Sequence, residues 1–385
     1  MNPVIARVGS GVVALALAAA APVLAAGTAN TSPSGQTVRT IVPLDGPRGV
    51  DALGRGRTLV TETGGDFSLV VERPHGAPHV VPLGNLPTEF PPAVALGRHG
   101  TVYLLTGAAG PPEDPEARAL RSIAGADAAP ADPAAGATLF KWRSGWSAPR
   151  PIADIAAYQA TDPDPYDLEG VPEDSNPFGL AALRDGTVLV ADAAGNDLVR
   201  VWPNGRIRTV ARLKPRTVEA PEGLPGGPPA GTPMASEAVA TSVTVGADGA
   251  WYVGELRGFP ATPGTSQIWR IKAGSVGATC DPTHPRRGRC TRYADGLTSI
   301  IDLASGRRGV YALELSKMSW LAVELGLPGA EVGGLFLVSR SHRSPHVRLR
   351  ELAAGQLVLP SGVDVGGGLY VVGPLFGPGA LMKIR

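Results

Sequence analysis

A two-strand unit recurs along this chain and limits the folds that it can adopt. Each copy consists of two short apolar runs joined by a turn, as in FGLAALRDGTVLVAD. This pattern is typical of a β-hairpin, because glycine readily takes the positive φ that tight turns require. Six copies occur, and they start at Arg48, Pro92, Phe178, Thr241, Ser299 and Ser361. Such repetition is typical of folds assembled from similar small sheets.

A third and a fourth run extend these hairpins to four strands, which we name A to D in chain order. LVRVWPNG and GRIRTVARL follow the copy that begins at Phe178. The last copy lacks strand D because the chain ends at Arg385, but TVRTIVPL at Thr37–Leu44 resembles RIRTVARL at Arg206–Leu213. The sequence therefore predicts an all-β fold, a six-bladed β-propeller with four-stranded blades whose last blade is closed by the N-terminal strand. An open β-sandwich or two small β domains is the alternative.

The first residues are typical of a secretory signal. Arg7 precedes an apolar run from Gly11 to Val23, and Val23-Leu24-Ala25 offers a small-residue cleavage pattern. We predict a signal peptide over residues 1–26, a linker over 27–36 and a single propeller domain over 37–385, with a secreted, extracytoplasmic location. A retained N-terminal anchor is the alternative, and no later segment is apolar for long enough to span a bilayer.

Charge and cysteine content narrow the class of protein. The net charge is +1 over 385 residues, which argues against nucleic-acid binding because such proteins carry a basic face. Cys280 and Cys290 are close in the sequence, and in an exported chain they predict one disulfide. A zinc site is the alternative, but it needs more ligands than these cysteines and His284.

The blade sequences resemble a known family. NPFGLAALRDGTVLVADAAGNDLVRV, TSVTVGADGAWYVGELRGFPATPGTSQIWRI and LTSIIDLASGRRGVYALE are similar to segments of the ScyD/ScyE family, which are exported NHL-like six-bladed propeller proteins of bacteria. The resemblance covers roughly Val38 to Arg385 and implies the fold and export. The founding members are associated with synthesis of the pigment scytonemin, which this chain is not expected to make. The resemblance therefore implies no particular chemistry.

Long insertions are predicted to lie on one face. In a propeller the B–C loops and D–A connections share one face, and the A–B and C–D turns share the other. The long segments of the first kind are Gly107–Gly136, Ala156–Ser175, Lys214–Ala238, Leu256–Gln267 and Leu315–Gly333. We call this side the insertion-rich face and predict that it binds the ligand. Insertions without a function are the alternative. Ser319–Ala330 has apolar residues at helical spacing and predicts a short helix.

Acidic side chains recur where strand B ends. An acid occupies this position in four of the six copies, as Glu62, Asp192, Glu255 and Glu314. In one interpretation they surround the channel mouth and, with Asn176 and Asp197, bind Ca²⁺ or another divalent cation, which takes oxygen ligands. In the other, each acid accepts hydrogen bonds from backbone amides or from an arginine and joins blades together. The candidate arginines are Arg48, Arg257 and Arg270.

Strand A carries a second set of acids at one equivalent position. These are Asp51, Asp302 and Asp364, which we call the channel aspartates. Because strand A is the innermost strand of a propeller blade, we expect them to face the central channel. Capping of turns is the alternative.

Two hypotheses about function follow. The sequence lacks the GxSxG, HExxH and CxxCH motifs that indicate a serine hydrolase, a zinc protease or haem attachment. The first hypothesis is an exported binding or scaffold protein whose ligand is a small molecule, a glycan or a protein of the cell envelope. The alternative is a divalent-metal-dependent hydrolase similar to gluconolactonases, in which the acids at the channel mouth hold a cation that activates water. An accessory role in secondary-metabolite processing follows from the family resemblance.

Overall fold

The computed structural model describes residues 36–88, 90–108, 136–340 and 347–385. Strands form six antiparallel blades, each with strand A innermost and strand D outermost. Blade 1 contains β2 (Val50–Gly54), β3 (Arg57–Thr61), β4 (Asp66–Val71) and β5 (His79–Asn85); blade 2 contains β6 (Ala93–Leu96), β7 (Val102–Leu105), β8 (Thr138–Trp142) and β9 (Arg150–Asp154); blade 3 contains β10 (Pro177–Ala182), β11 (Val188–Asp192), β12 (Asp197–Val201) and β13 (Ile207–Leu213); blade 4 contains β16 (Ala240–Val245), β17 (Trp251–Glu255), β18 (Ser266–Ile271) and β20 (Cys290–Leu297); blade 5 contains β21 (Ile300–Gly306), β22 (Gly309–Glu314), β23 (Gly334–Arg340) and β24 (Val347–Leu352); blade 6 contains β25 (Gly362–Val365), β26 (Leu369–Gly373), β27 (Pro378–Ile384) and β1 (Val38–Asp45). The predicted all-β, six-bladed fold is confirmed.

The N-terminal strand closes the ring as predicted. Strand β1 pairs antiparallel with β27, so that Val38 lies opposite Ile384 and Asp45 opposite Pro378. The two ends of the propeller are also paired, since the Thr37 and Arg385 amides donate to each other's carbonyl oxygens at 3.1 and 3.0 Å. Closure of this kind leaves blade 6 without an unpaired edge at strand C.

Three short elements were not predicted from the sequence. Strands β14 (Arg216–Glu219) and β15 (Pro233–Ser236) form a separate hairpin in the connection between blades 3 and 4. Strand β19 (Ala278–Cys280) adds to β13 in parallel as a fifth strand of that sheet. Helix α1 (Ile155–Gln159) leads out of blade 2. Helix α2 (Trp320–Glu324) lies within Ser319–Ala330, where the sequence predicts a helix.

The innermost strands pack closely, and glycine makes this approach possible. A Cβ atom added to Gly366 would lie 1.7 Å from the carbonyl oxygen of Ala52 in blade 1. Buried apolar residues such as Val60, Val190 and Val253 fill the spaces between blades. The rigid, closely packed scaffold fixes the side chains that face the channel.

The predicted disulfide joins Cys280 to Cys290. Because β19 belongs to the sheet of blade 3 and β20 to blade 4, the bond links the outer strands of two blades. No zinc ligand role remains for these cysteines. The predicted signal peptide, residues 1–26, lies outside the described residues, and among the residues that are described no helix is long and apolar enough to cross a membrane.

Replacing both cysteines with serine is expected to lower the free energy of unfolding by about 2–3 kcal/mol, because the bond limits the conformational freedom of the unfolded chain. The short sequence separation of 10 residues sets this modest size. Urea denaturation without reductant measures the change, and wild type in reductant is the control. A loss smaller than about 0.5 kcal/mol would contradict the expectation.

Candidate functional site

The long insertions contact each other on one face. The Leu168 amide, between blades 2 and 3, donates to Glu237 Oε1, between blades 3 and 4, at 2.7 Å. Trp320 Nε1 of α2 donates to the carbonyl oxygen of Arg257 in the B–C loop of blade 4 at 2.7 Å. The predicted insertion Gly107–Gly136 falls largely outside the described residues. The other insertions form one connected surface, as their strand order implies.

Asp192, at the end of strand B in blade 3, is fully buried and has four hydrogen-bond donors. Ser175 Oγ donates at 2.6 Å and the Asn176 amide at 2.7 Å, while the Gly195 amide and Gln159 Nε2 each donate at 3.2 Å. Burial raises the pKa of this carboxyl, and the hydrogen bonds oppose that rise. Asp192 therefore holds the start of strand A and the end of α1 against strand B.

Glu255, the equivalent acid of blade 4, forms a buried ion pair. Its side chain is 0% exposed, and that of Arg257 is 1% exposed. Arg257 donates to Glu255 Oε2, and Trp269 Nε1 donates to Glu255 Oε1 at 2.5 Å. Burial raises the pKa of Glu255 and lowers that of Arg257, and the attraction between the two charges opposes both shifts. Both charges are thus compensated inside the protein.

Glu314 and Glu62 also accept backbone amides. The Thr298 amide, just before strand A of blade 5, donates to Glu314 Oε1 at 2.7 Å, and the Asp45 amide donates to Glu62 Oε1 at 2.8 Å. Burial raises the pKa of both acids, that of Glu314 to about 7. Like Asp192, each acid closes the end of its blade by binding the segment that leads into strand A.

The acids at the ends of strand B are not assembled into one site. Throughout the described ranges, no group of three or more His, Cys, Asp or Glu side chains is arranged to hold a metal ion. Asn176 lies beside Asp192, but its Oδ1 accepts the Ala108 amide at 3.0 Å. Asp197 pairs with Asp192 across β11 and β12, and Gln159 Nε2 donates to it at 3.2 Å. These contacts fit the interpretation in which the acids join backbone segments.

The central channel contains a cavity of about 300 Å³, which is at the small end of ligand-binding sites. All six innermost strands contribute to its wall, and the three channel aspartates line it. A second cavity of about 40 Å³ lies toward the insertion-rich face, and Phe178 lines both. The channel is therefore the larger of the two spaces in the described part of the propeller.

Each channel aspartate joins its own blade to the next. Asp302 Oδ2 of blade 5 accepts the Val363 amide of blade 6 at 2.8 Å. Asp364 Oδ2 accepts the Ala52 amide of blade 1 at 2.6 Å, and Asp51 Oδ2 accepts the Leu96 amide of blade 2 at 2.5 Å. The acids thus connect blades 5, 6, 1 and 2 around one side of the channel.

The channel aspartates bind protons more tightly than exposed acids. Burial raises the pKa of Asp302 to about 7. Burial also raises the pKa of Asp51 and of Asp364, and the two carboxyl groups lie within hydrogen-bonding reach of each other, so that one proton is shared between them. This side of the channel can therefore accept and release protons near neutral pH.

Arg48 places a buried cation at the same cavity. Its side chain is 4% exposed, its Nη1 donates to the Pro91 carbonyl at 2.9 Å, and its Nη2 donates to the Phe178 carbonyl. The guanidinium lies 4.0 Å from the centre of the Phe178 ring. Burial lowers the pKa of Arg48 to about 9, and the nearby charge of Asp302 opposes this. Arg48 remains a cation at neutral pH.

The opposite side of the channel is apolar. Val94, Leu180 and Val243, on the innermost strands of blades 2, 3 and 4, line the cavity there. The cavity therefore has an apolar wall, an acidic wall and one arginine.

Asp364→Asn is expected to reduce the pH dependence of stability. The folded protein holds protons on the channel aspartates at a pH where the unfolded chain has lost them, so the free energy of unfolding falls as the pH rises from about 4 toward 7. Channel water screens part of the effect, and we expect about 1–3 kcal/mol between pH 5 and 8. In the variant, the carboxamide introduced at position 364 can donate to Asp51 without a shared proton, which removes much of this slope.

Urea titrations at several pH values test the expectation. The matched control is Asp66→Asn, which changes an exposed carboxyl at the start of strand C in blade 1. An unchanged slope in Asp364→Asn would show that other groups carry the pH dependence.

Comparisons with known proteins support the fold. No family model matches this chain, and none of the curated proteins compared with it is similar in sequence. Among solved structures, it is similar to the PQQ-bound aldose sugar dehydrogenase of Streptomyces coelicolor, with 13% identity, 93% of this chain and 100% of that chain covered, and a TM-score of 0.50.

A second similar structure is the PQQ domain of pyranose dehydrogenase from Coprinopsis cinerea, with 9% identity, coverage of 92% and 97%, and a TM-score of 0.51. Virginiamycin B lyase of Staphylococcus aureus follows with 13% identity, coverage of 91% and 99%, and a TM-score of 0.43. The class defined by fold and site is a six-bladed β-propeller with a polar central channel. The particular membership in the ScyD/ScyE family stays a prediction.

Proposed function

We propose that this protein is an exported binding propeller of the ScyD/ScyE type, and that its ligand is a small molecule held in the central channel. The observation that carries the proposal is the cavity of about 300 Å³ that the channel aspartates and Arg48 share with an apolar wall. Cavities with a few convergent polar groups on an apolar background are the usual form of small-molecule sites. Export is supported by the signal-like N-terminus and the disulfide.

This proposal moves the expected ligand from the insertion-rich face into the channel. The insertion-rich face is a second candidate, for a protein or glycan of the cell envelope. It is favoured by large apolar side chains that are exposed in its loops, namely Leu168, Val171, Phe259, Met318, Leu325 and Leu327. Exposed apolar residues concentrated on one face commonly mark interaction sites.

A divalent-metal-dependent hydrolase is less well supported. Its cation would need several unoccupied oxygen ligands, whereas Asp192, Glu255 and Glu314 each accept hydrogen bonds from the protein itself. Elemental mass spectrometry of protein purified without chelator or nickel tests this alternative. About one divalent ion per chain, lost in Asp192→Ala, would favour it over the channel-binding proposal.

PQQ, which is bound in the similar sugar dehydrogenase structure, does not fit the channel of this protein. PQQ carries three carboxylate groups, and a site for it needs several cations. The channel offers one cation, Arg48, against three aspartates, so a polyanion would be repelled. No step of the proposed function passes through this cofactor.

Thermal-shift screening of a metabolite library, comparing wild type with Asp302→Asn, tests the proposal. A channel ligand should raise the melting temperature of wild type and of the control Asp66→Asn, and should have a smaller effect on Asp302→Asn. Ligands that stabilise all three proteins equally would place the binding site elsewhere and overturn the proposal.

A further inference from the structure

Charges of both signs face the channel cavity without a direct ion pair between them. Arg48 has no carboxylate within salt-bridge distance among the described residues, and it acts on Asp302 only through space. Charged groups that are buried near each other normally pair directly. The separation leaves room for a ligand between them.

Arg48 is prepared to bind an anion. A guanidinium has five N–H donors, and its hydrogen bonds to the Pro91 and Phe178 carbonyls use only part of them. Stacking on Phe178 at 4.0 Å and the second ring, Phe90, at 5.1 Å fix its plane. A fixed, buried guanidinium favours a carboxylate, which it can bind through two parallel hydrogen bonds.

The acidic wall is prepared to bind a cation. Asp302 and Asp364 use their oxygens to accept amides of the neighbouring blades, and an ionised carboxylate has further lone pairs to offer. An ammonium group would compensate the negative charge that this wall otherwise reduces by retaining protons. The apolar wall of Val94, Leu180 and Val243 lies across the cavity.

We propose that the channel ligand is a small zwitterion of the α-amino acid type. Arg48 binds its carboxylate, Asp302 and Asp364 bind its ammonium group, and Val94, Leu180 and Val243 contact its side chain. This inference rests on the proposed function, because it requires the channel to be the binding site. A lone carboxylate would leave the acidic wall without a partner, and a lone amine would do the same to Arg48. The cavity of about 300 Å³ suits a ligand of this size.

Binding also has a consequence for protons. The ammonium group favours the ionised form of the channel aspartates, so binding should displace the proton shared by Asp51 and Asp364. Calorimetry in buffers of different ionisation enthalpy measures this release.

Calorimetric titration of the full chain with the standard protein amino acids and with matched analogues tests the inference. For leucine, the analogues are 4-methylpentanoate, which lacks the amine, and 3-methylbutylamine, which lacks the carboxylate. At least one amino acid should bind about tenfold or more tightly than both of its analogues. Asp302→Asn should weaken binding of the amino acid and of the amine and leave the carboxylate analogue unchanged, whereas Asp66→Asn should change none of them.

The analogue series needs no substitution at Arg48, which joins three blades and whose replacement can unfold the protein. Equal binding of an amino acid and its analogues would overturn the inference. If no amino acid binds but other compounds bind in a way that depends on Asp302, the channel-binding proposal stands and the zwitterion is wrong. If nothing binds in that way, both are wrong.

Discussion

Deletion of residues 1–45 is expected to abolish cooperative folding of the propeller. The deletion removes β1 and leaves β27 as an unpaired edge. It also exposes the surfaces that Ile41 and Leu44 cover in the core of blade 6. Two such side chains contribute about 3–6 kcal/mol and the lost strand pairing adds to this, which is comparable with the whole stability of a domain, about 5–15 kcal/mol. Circular dichroism during urea denaturation measures the loss.

The control is deletion of residues 1–35, which leaves β1 intact and should unfold like the longer chain. A synthetic peptide of residues 37–45, added to the shortened protein, should restore cooperative unfolding because it can pair with β27 in the same register. A shortened protein that unfolds cooperatively with unchanged midpoint would contradict the role of β1 in closing the ring.

Arg257→Met is expected to lower the free energy of unfolding by about 3–5 kcal/mol. The substitution leaves Glu255 buried, at 0% exposure, without its cation, and burial of an uncompensated charge is costly. It also removes the donor for the carbonyls of Ser236 and Glu237. Urea denaturation at neutral pH provides the measurement.

The double variant Glu255→Gln with Arg257→Met is the control. The carboxamide introduced at position 255 can still accept Trp269 Nε1 and carries no charge, so the double variant should recover about 1–2 kcal/mol relative to Arg257→Met. A double variant that is less stable than Arg257→Met would show that the lost carbonyl contacts, rather than the ion pair, dominate. A loss below about 1 kcal/mol in the single variant would mean that water reaches Glu255.

The sequence predicts the architecture because the signals are local and repeated. Six copies of one hairpin determine the strands, and the likeness of residues 37–44 to a strand D identifies the closing strand. The hairpin of β14 and β15 was not predicted, because its strands lie in a connection rich in glycine and proline that shows no alternation of apolar residues. Strand β19 has only three residues, too few for a periodic signal.

The site is less predictable, because it depends on contacts between distant residues. The sequence indicates that acids recur at the ends of strand B, but it does not reveal that Asn176, Thr298 and Asp45 donate backbone amides to them. Of the candidate arginines, Arg257 pairs with Glu255, whereas Arg270 pairs with Asp248 on the other face.

Arg48 was considered only as a partner for those acids, and it binds carbonyls beside the channel instead. One signal was available in the sequence. Among the first residues of the six copies, which are Arg48, Pro92, Phe178, Thr241, Ser299 and Ser361, Arg48 alone is charged.

The pairing of Thr37 with Arg385 determines how this propeller can be attached to anything else. Both ends meet on the outermost strands of blade 6, at the rim and away from the channel axis. A tether, tag or fused domain at either end would therefore hold the ring by its side, like a wheel held at the tyre. Both openings of the channel would stay clear, and the two ends could be joined or exchanged without disturbing the cavity.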